Sequence, residues 1–149
     1  MTDQKYFEDV NVGDQIPTLA VTVDETQMFF FSAATHNGHR IHYDKTWATE
    51  VEGYPAILVH GPLQAALLAR AVTDWAGPGG RLVNYAIQHR ASAYPGEELR
   101  FTGTITAKQE GGDRGLVDLE IHGEKGSTEI LMPGTATVSL PRRCLIPAC

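Results

Sequence analysis

Four stretches of the chain alternate apolar and polar residues, which is the period of a half-buried β-strand. A fifth, shorter stretch at residues 19–23 also has strand character. Breaks containing Gly and Pro, such as Pro95-Gly96 and Gly111-Gly112, separate the later stretches, and connections this short favour antiparallel neighbours. The pattern therefore predicts an antiparallel sheet whose later strands cover residues 83–87, 99–105, 117–121 and 136–140.

Two helices are predicted before these later strands. Asp24, followed three residues later by Gln27, is a capping-box signature, and the helix that it begins should end before Asn37-Gly38. Residues 63–75 carry only four polar side chains and follow Pro62, which suits the first position of a helix. An apolar surface on nearly all sides predicts that this second helix is buried on most sides.

These elements predict an α+β protein, with a curled antiparallel sheet wrapped around one long central helix and a short helix over residues 44–50. Such a sheet leaves edge strands and one exposed face, so pairing with a second copy is expected. The aromatic run 29–31 is expected in the core or between copies, with the lining of a ligand pocket as the alternative. No repeat or linker divides residues 1–149, so one domain is expected.

Composition and charge exclude several classes of function. Hydrophobic residues make up 42% and charged residues 20% of the 149 positions, as in ordinary globular proteins. The formal net charge is −6 and no basic stripe is present, so a nucleic-acid surface is not expected. The N-terminus lacks a signal-peptide pattern, and the longest apolar stretch is too short for a membrane span. The only cysteines are Cys144 and Cys149, which favours a reducing cytoplasm.

Histidine is concentrated in one part of the chain. Four of the six histidines fall between positions 36 and 60, namely His36, His39, His42 and His60. This concentration predicts a site that uses imidazole. The first three also form a row with the spacing of metal ligands, but the Asn37-Gly38 turn leaves their directions unspecified and no second cluster completes a metal site. No metal is therefore predicted.

The residues around these histidines form a longer motif. The run from Asn37 to Asp44 reads Asn-Gly-His-Arg-Ile-His-Tyr-Asp, and a second run, Val-His-Gly-Pro, ends at Pro62. Their spacing resembles the hydratase 2 motif of the MaoC-like enoyl-CoA hydratases and dehydratases. The resemblance implies the hot-dog fold, an acyl-CoA thioester substrate and no cofactor. It also implies a catalytic set made of His42, Asn37, Gly61 and Asp44.

Two positions depart from the usual form of that motif. Asn37 stands where the family usually has a catalytic Asp, and His39-Arg40 replaces Asn-Pro. A branch that includes the hydroxyacyl-thioester dehydratase type 2 and mesaconyl-CoA hydratase-like proteins is similar to this chain over the same run. Because an amide cannot usefully transfer a proton near neutral pH, Asn37 either binds water or serves only as a turn residue.

Hydration of an enoyl thioester needs a base for water, a proton donor to Cα and stabilisation of the enolate oxygen. An imidazole with a pKa of ~6.5 fits the first task, which goes to His42. The N–H of Gly61 at a helix start fits the last. Asp44 either orients His42 or caps the next helix.

A CoA substrate also needs basic groups for its phosphates. The expected substrate-binding residues are His39, Arg40, His60, Pro62 and Arg90.

The expected function is the reversible hydration of a 2-enoyl-CoA to a (3R)-3-hydroxyacyl-CoA, with the hand implied by the resemblance. The expected assembly is a homodimer or higher homo-oligomer, or a heteromer with a related MaoC-like subunit. A non-catalytic subunit that binds acyl-CoA or assists a partner is the alternative that Asn37 suggests. A hot-dog thioesterase is the third, but it would normally carry an acid where the central helix has Gln64.

Overall fold

The computed structural model describes residues 4–126 and 128–143, so Cys144 and Cys149 lie outside the described residues. The long helices are α1 (Glu25–Thr35) and α2 (Gly61–Ala76). Short turns of 3₁₀-helix cover Phe7–Asp9 and Arg40–His42, and a short π-helix covers Trp47–Val51. The strands are β1 (Leu19–Thr22), β2 (Arg81–Ile87), β3 (Glu98–Gln109), β4 (Arg114–Lys125) and β5 (Glu129–Pro141).

The strands form one antiparallel sheet in the order β1-β3-β4-β5-β2, as the alternating pattern predicted. Each later strand is longer than its alternating stretch, because main-chain pairing continues into polar residues such as Arg114 and Lys125. The register shifts between Ile105 and Ala107, and again between Gly123 and Glu124. Such bulges bend a sheet and increase its twist. The curled sheet of the prediction is therefore confirmed, with β1 and β2 as its edges.

The concave face of this sheet packs on α2, which contacts β1, β2, β3 and β4. Alternate strand residues such as Phe101, Leu119 and Val138 are buried there, together with Leu68 and Val72 of the helix. Burying a large apolar side chain contributes about 1.5–3 kcal/mol relative to leaving it exposed. The core therefore lies between the helix and the sheet, and it holds both elements in place.

Helix α2 is exposed along one stripe only. Its buried positions are Gln64, Leu68, Ala71, Val72, Trp75 and Ala76. The exposed stripe contains Pro62, Ala66 and Arg70 and ends at 73–74, and the remaining helix positions are half-buried. The expectation of burial on most sides is thus correct except along this stripe, which the open layer of five strands leaves uncovered.

Helix α1 begins and ends where the sequence predicted. The Asp24 carboxylate accepts a hydrogen bond from the Gln27 N–H at 2.7 Å, and the Gln27 side chain accepts one from the Asp24 N–H at 3.0 Å. The helix ends at His36, whose φ of 52° is left-handed. Phe29 and Phe30 are 59% and 65% exposed, so the core interpretation of the aromatic run is wrong for these two residues.

Two connections meet at the N-terminal end of α2. The first runs from α1 to α2 and carries the histidine cluster, and the second joins β2 to β3. The Val59 N–H donates to the Ala93 carbonyl at 2.8 Å, which ties the two connections together. The Leu58 N–H donates to the Ile41 carbonyl at 2.9 Å, which folds the first connection back on itself. The histidine cluster is thereby held against the start of the central helix.

Candidate active site

His42 lies in the short helical turn Arg40–His42, and only 8% of the residue is exposed. Its Nδ1 lies 2.8 Å from the carbonyl oxygen of Leu58. Because a carbonyl oxygen only accepts, Nδ1 carries the proton of the neutral ring and Nε2 keeps a free lone pair. Nε2 has no hydrogen-bond partner among the described residues and is not one of their fully buried atoms. The site therefore holds a histidine whose basic nitrogen is available.

His60 is the residue packed most closely on His42. The two rings are stacked, with centroids 3.8 Å apart and an angle of 20° between their planes. His60 has no exposed surface, and its Nε2 is 2.7 Å from the hydroxyl oxygen of Ser32 on α1. Its Nδ1 and the Oε1 of Gln64 are buried without a hydrogen-bond partner within residues 4–126 and 128–143. Since buried polar atoms are usually paired, this end of α2 is an exception within the fold.

Burial lowers the pKa of both stacked histidines. Removal from water lowers the pKa of His60 from 6.5 to about 4, and the neighbouring His42 contributes in the same direction. Burial is also the main cause that lowers the pKa of His42, opposed by its hydrogen bond to Leu58 and assisted by His39. Both rings are therefore neutral near pH 7, which is the form in which His42 can accept a proton.

Gly61 is the first residue of α2 and follows His60 directly. No side-chain cap is present at this helix start, and Pro62 has no N–H, so the Gly61 N–H is among the few donors available there. A Cβ at Gly61 would lie 2.9 Å from the ring of His89, which covers this glycine from the β2–β3 connection. The absence of a side chain is thus a packing requirement at this position, because the His89 ring occupies the space that a side chain would need.

Asn37 is half-buried in the turn after α1. Its side-chain oxygen accepts a hydrogen bond from the His39 N–H at 3.1 Å, and its own N–H donates to the Ser32 carbonyl at 2.9 Å. The turn interpretation of Asn37 is therefore correct as a description of its contacts. The amide oxygen retains a second lone pair and the amide nitrogen two protons, which leaves groups able to hold a water molecule.

Asp44 faces the outer side of the same turn. Its carboxylate accepts hydrogen bonds from the Arg40 Nε at 3.0 Å and from the Trp47 N–H at 3.0 Å. The Arg40 guanidinium also lies 4.1 Å from the centroid of the Trp47 ring. Of the two predicted roles, Asp44 performs the capping role, whereas the Nδ1 of His42 is oriented by a backbone carbonyl instead. The bonds to Arg40 and to the Trp47 N–H lower the pKa of Asp44 and keep it ionised.

The remaining predicted site residues surround this centre at greater exposure. The His39 ring lies 5.9 Å from that of His42 and faces it edge-on, and its Nε2 is 3.7 Å from Glu52. Pro62 is exposed on the first turn of α2. Arg90 is exposed directly after His89, with its guanidinium bonded to Gln88. The structure thus brings His42, His60 and Gly61 together at the start of α2, with His39 beside them, whereas Arg40 and Asp44 pair with each other and Arg90 binds Gln88.

Comparison with known proteins identifies the family to which this site belongs. Residues 4–95, more than half of the chain, match the family described as hydroxyacyl-thioester dehydratase type 2.

The chain belongs to the hydroxyacyl-thioester dehydratase type 2 family.

Two curated relatives are hydratases that act on CoA thioesters, as their names state. The chain is 36% identical over 123 residues to mesaconyl-C(4)-CoA hydratase of Chloroflexus aurantiacus, covering 83% of this chain but only 39% of that protein. It is 28% identical over 132 residues to the 3-oxo-4,17-pregnadiene-20-carboxyl-CoA hydratase β subunit of Mycobacterium tuberculosis, covering 89% of this chain and 96% of that one. The resemblance to MaoC-like hydratases is confirmed, and the protein is a member of a hydratase family.

The solved structures confirm the fold of this family member. The R-hydratase of Pseudomonas aeruginosa superposes with a TM-score of 0.81 at 18% identity, covering 93% of this chain and 86% of that one. At this level of identity the likeness concerns the fold alone. The predicted hot-dog fold is confirmed.

Three residues of this dehydratase-family site were not predicted from the sequence. Ser32 sits in the middle of α1, His89 follows β2, and the carbonyl of Leu58 comes from an apolar run. The motif contains none of them, and a backbone acceptor leaves no trace in side-chain patterns. A single histidine after a strand was a weak signal for His89. Ser32, a polar residue beside an aromatic run, was a similarly weak one.

Two clefts differ in their relation to this site. The larger, about 540 Å³, lies over β2, β4 and β5, with Ile87, His122 and Pro133 in its wall, away from His42. The smaller, about 310 Å³, adjoins the turn that carries Asn37. Its lining residues are Phe29, Ser32, Ala33, His36, Asn37, Gly38 and Tyr43. Neither cleft is lined by His42 or Gly61; the smaller one adjoins the site through Asn37 and through Ser32, whose hydroxyl is hydrogen-bonded to the buried His60.

Two further findings apply to the part of the chain that the structure describes. Within it, no group of three or more His, Cys, Asp or Glu residues is placed to hold a metal ion. Nor does any helix there have the length and apolar character needed to cross a membrane.

Proposed function

We propose that this protein catalyses the reversible hydration of a 2-enoyl-CoA to a (3R)-3-hydroxyacyl-CoA, the hand being that of the family resemblance. The observation that supports this is the state of His42. Its Nδ1 is bound by the Leu58 carbonyl, burial lowers its pKa, and its Nε2 is free beside the first residues of α2. A neutral imidazole next to helix N–H donors is the combination that hydration of an enoyl thioester requires.

In the proposed reaction, Nε2 of His42 takes a proton from water while the water oxygen forms a bond to C3 of the enoyl group. The C2–C3 π electrons move toward the thioester carbonyl and give an enolate, whose oxygen accepts a hydrogen bond from the Gly61 N–H. The enolate then takes a proton at C2 from the His42 imidazolium, which returns His42 to its neutral form. The reverse sequence eliminates water from the 3-hydroxyacyl thioester.

Asn37 has a limited part in this proposal. An amide neither accepts nor delivers a proton near neutral pH, so His42 handles the proton in both half-reactions. Asn37 orients the water through the amide groups that its bond to the His39 N–H leaves free. A positioned acid–base group contributes typically ~10²–10⁴-fold to a rate, and one histidine that serves twice is sufficient for the sequence of steps proposed.

The charged residues at the rim are assigned to the CoA part of the substrate. Arg90 and Arg40 carry the guanidinium groups for its phosphates, and the exposed His39, whose ring lies 5.9 Å from that of His42, and Pro62 are assigned to the same part of the substrate. Asp44 is not assigned a contact with the substrate; it holds Arg40 against Trp47. Guanidinium groups suit phosphate oxygens because they present paired donors.

The test of this function is an activity screen of the purified chain over crotonyl-CoA and longer and branched 2-enoyl-CoAs. Hydration removes the enone absorbance and releases no thiol, whereas a thioesterase releases free CoA from a saturated acyl-CoA. Chiral analysis of the product assigns its hand. Loss of enone absorbance without thiol release supports the proposal, and thiol release without hydration would refute it.

A second candidate function is a subunit of a heteromeric hydratase. Two observations favour it: position 37 holds an amide, and a relative that the chain covers to 96% is named as a β subunit. The chain also spans only 39% of mesaconyl-C(4)-CoA hydratase, so most of that protein lies outside the part that this chain matches. Under this proposal the purified chain binds acyl-CoA without turnover, and turnover appears when a related hydratase subunit is added.

We also propose that residues 1–149 act as one domain that associates with a second copy or with a related subunit. Three features support an interface: Phe29 and Phe30 are exposed on α1, the Pro62 side of α2 is uncovered, and β2 is an unpaired edge carrying an exposed Val83. Exposed apolar surface next to a free strand edge favours association. The mass in solution, measured by light scattering, tests this.

A further inference from the structure

Within residues 4–126 and 128–143, His60 is the one buried titratable side chain for which the proposed reaction provides no task. It contacts neither solvent nor a position where the substrate reacts, because its surface is fully covered. A wholly apolar side chain would fill the same space without burying the Nδ1 atom, which has no hydrogen-bond partner among the described residues. Packing alone therefore does not explain why this position holds an imidazole.

The contacts of His60 hold its ring from several directions. The hydroxyl of Ser32 fixes Nε2 at 2.7 Å, and the ring of Phe31 meets it edge-on at 4.9 Å between centroids. Both residues belong to α1, whereas His60 itself precedes α2. A fully buried ring with a fixed nitrogen has little freedom to rotate, so His60 presents one flat face in a set orientation.

That face is where His42 rests. The stacking at 3.8 Å and 20° leaves the plane of the His42 ring set by His60, while the Leu58 carbonyl sets its rotation within that plane. The stacking contact and the hydrogen bond together determine where Nε2 of His42 lies. A backbone carbonyl and an imidazole, rather than a carboxylate, therefore orient His42.

We propose that His60, anchored by Ser32, is a positioning residue that holds the catalytic ring of His42 in the plane needed for proton transfer and against the Leu58 carbonyl that sets its tautomer. The inference rests on the proposed function, in which Nε2 of His42 is the atom that exchanges the proton. Reacting groups displaced by about 1 Å can lose ~10²-fold in rate, so a fixed plane has a kinetic effect.

Other charged or titratable groups near His42 do not replace this contact. The closest is His39, edge-on at 5.9 Å and itself facing Glu52 at 3.7 Å. Arg40 and Asp44, on the same turn, bind each other on its outer side. His60 is the group that stacks on His42 at van der Waals distance.

The test uses Ser32→Ala and His60→Phe, with Thr26→Ala, an exposed substitution on the same helix, as the matched control. Ser32→Ala removes the anchor and leaves both imidazoles. His60→Phe keeps an aromatic face and removes the nitrogen that Ser32 binds. Steady-state kinetics with an enoyl-CoA separate kcat from KM, and ¹⁵N NMR of the histidine side chains reports the tautomer and the pKa of His42 directly.

The proposal expects Ser32→Ala to lower kcat by ~10–100-fold with little change in KM, as for a misplaced reacting group. It also expects the NMR signals of His42 to shift from one tautomer toward a mixture, and its pKa to rise toward 6.5 as the ring gains solvent. His60→Phe should retain more activity than His60→Ala, because it preserves the stacked face. Thr26→Ala should match the unmodified protein in both measurements.

Unchanged kcat together with an unchanged His42 tautomer in Ser32→Ala and His60→Ala would overturn the inference. A change in the His42 tautomer by NMR without any loss of kcat would overturn the claim that the orientation of His42 affects the rate. Failure of the proposed function itself looks different: the unmodified protein then hydrates no enoyl-CoA in the panel, while the NMR measurement still shows whether His60 sets the state of His42.

Discussion

The two ends of α2 differ in how their polar groups are paired. At the C-terminal end, Gly77 has a φ of 77° and its N–H donates to the Thr73 carbonyl, while the Ala76 carbonyl accepts from the Lys5 N–H at 3.4 Å. Trp75 and Ala76 are buried there. At the N-terminal end, no side chain caps the helix, and His60 and Gln64 each bury an unpaired polar atom as far as the described residues extend.

The C-terminal end of the helix therefore contributes mainly to stability, and the N-terminal end to the proposed chemistry. An end whose polar groups are paired and whose side chains are packed contributes to the free energy of folding. An end that keeps free N–H groups and buries unpaired polar atoms gives up some of that free energy, and its free N–H groups can bind a ligand. Substitutions at the two ends should therefore act on different measurements.

The largest effect is expected from His42→Ala at the N-terminal end. Loss of the only base should lower kcat/KM for enoyl-CoA hydration by ~10²–10⁴-fold, measured as loss of enone absorbance. His122→Ala, on β4 and away from the site, is the matched control and should retain full activity. A normal rate in His42→Ala would remove His42 from the mechanism.

The C-terminal end should give the opposite outcome on substitution of Trp75, which is 8% exposed. Trp75→Ala leaves a cavity between helix and sheet and should lower the free energy of unfolding by ~3–5 kcal/mol, measured by denaturant titration. Activity per folded molecule should not change. Thr73→Ala, exposed on the same turn, is the control, and an equal loss in both variants would contradict the role assigned to packing at this end.

A smaller effect on the rate is expected from Gly61→Ala. The added Cβ would lie 2.9 Å from the His89 ring, so either the ring or the helix start must shift. We expect kcat to fall by ~10–100-fold, the scale of an ångström-sized displacement beside the reacting atoms.

The double variant Gly61→Ala with His89→Ala sharpens this prediction. Removal of the imidazole relieves the contact and should restore thermal stability, but the methyl group still lies beside the Gly61 N–H that is proposed to bind the thioester oxygen. Full recovery of kcat in the double variant would show that the contact with His89, rather than access to the Gly61 N–H, explains the loss.

A further effect is expected on stability as a function of pH. The pKa of His60 is lowered from 6.5 to about 4, so below pH 6.5 the unfolded chain binds a proton that the folded chain does not. Stability contributed by the neutral ring is therefore present above pH 6.5 and is lost as the pH falls toward 4. In His60→Phe, denaturant titrations at several pH values should show a weaker decline across this window. An identical decline would assign it to other groups.

Much of the fold followed from local sequence. Alternation located β2 to β5, and Asp24 with Gln27 located the start of α1, because both signals depend on residues near one another in the chain. The extra length of the strands and the exposure of Phe29 depend on partners far away in sequence. No local pattern carries that information.

The candidate site divides in the same way. The motif selected His42, His60 and Gly61, and the structure gathers them at one end of α2. Their partners are Ser32, a side chain on α1, and the Leu58 carbonyl, a backbone group. The spacing of residues in the motif contains no information about either partner. Asp44, which the motif presented as a possible partner of His42, binds Arg40 instead.

What the sequence by itself determined is the kind of protein: an α+β chain with a buried helix and a histidine motif, set by periodicity and by the spacing of residue types. Only the tertiary structure decided the state of each group. Stacking on His60, the bond to Leu58 and burial together leave His42 neutral, with no partner for its Nε2 among the described residues. A tautomer and a pKa depend on atoms within a few ångströms in space, and folding brings those atoms together from separate parts of the chain.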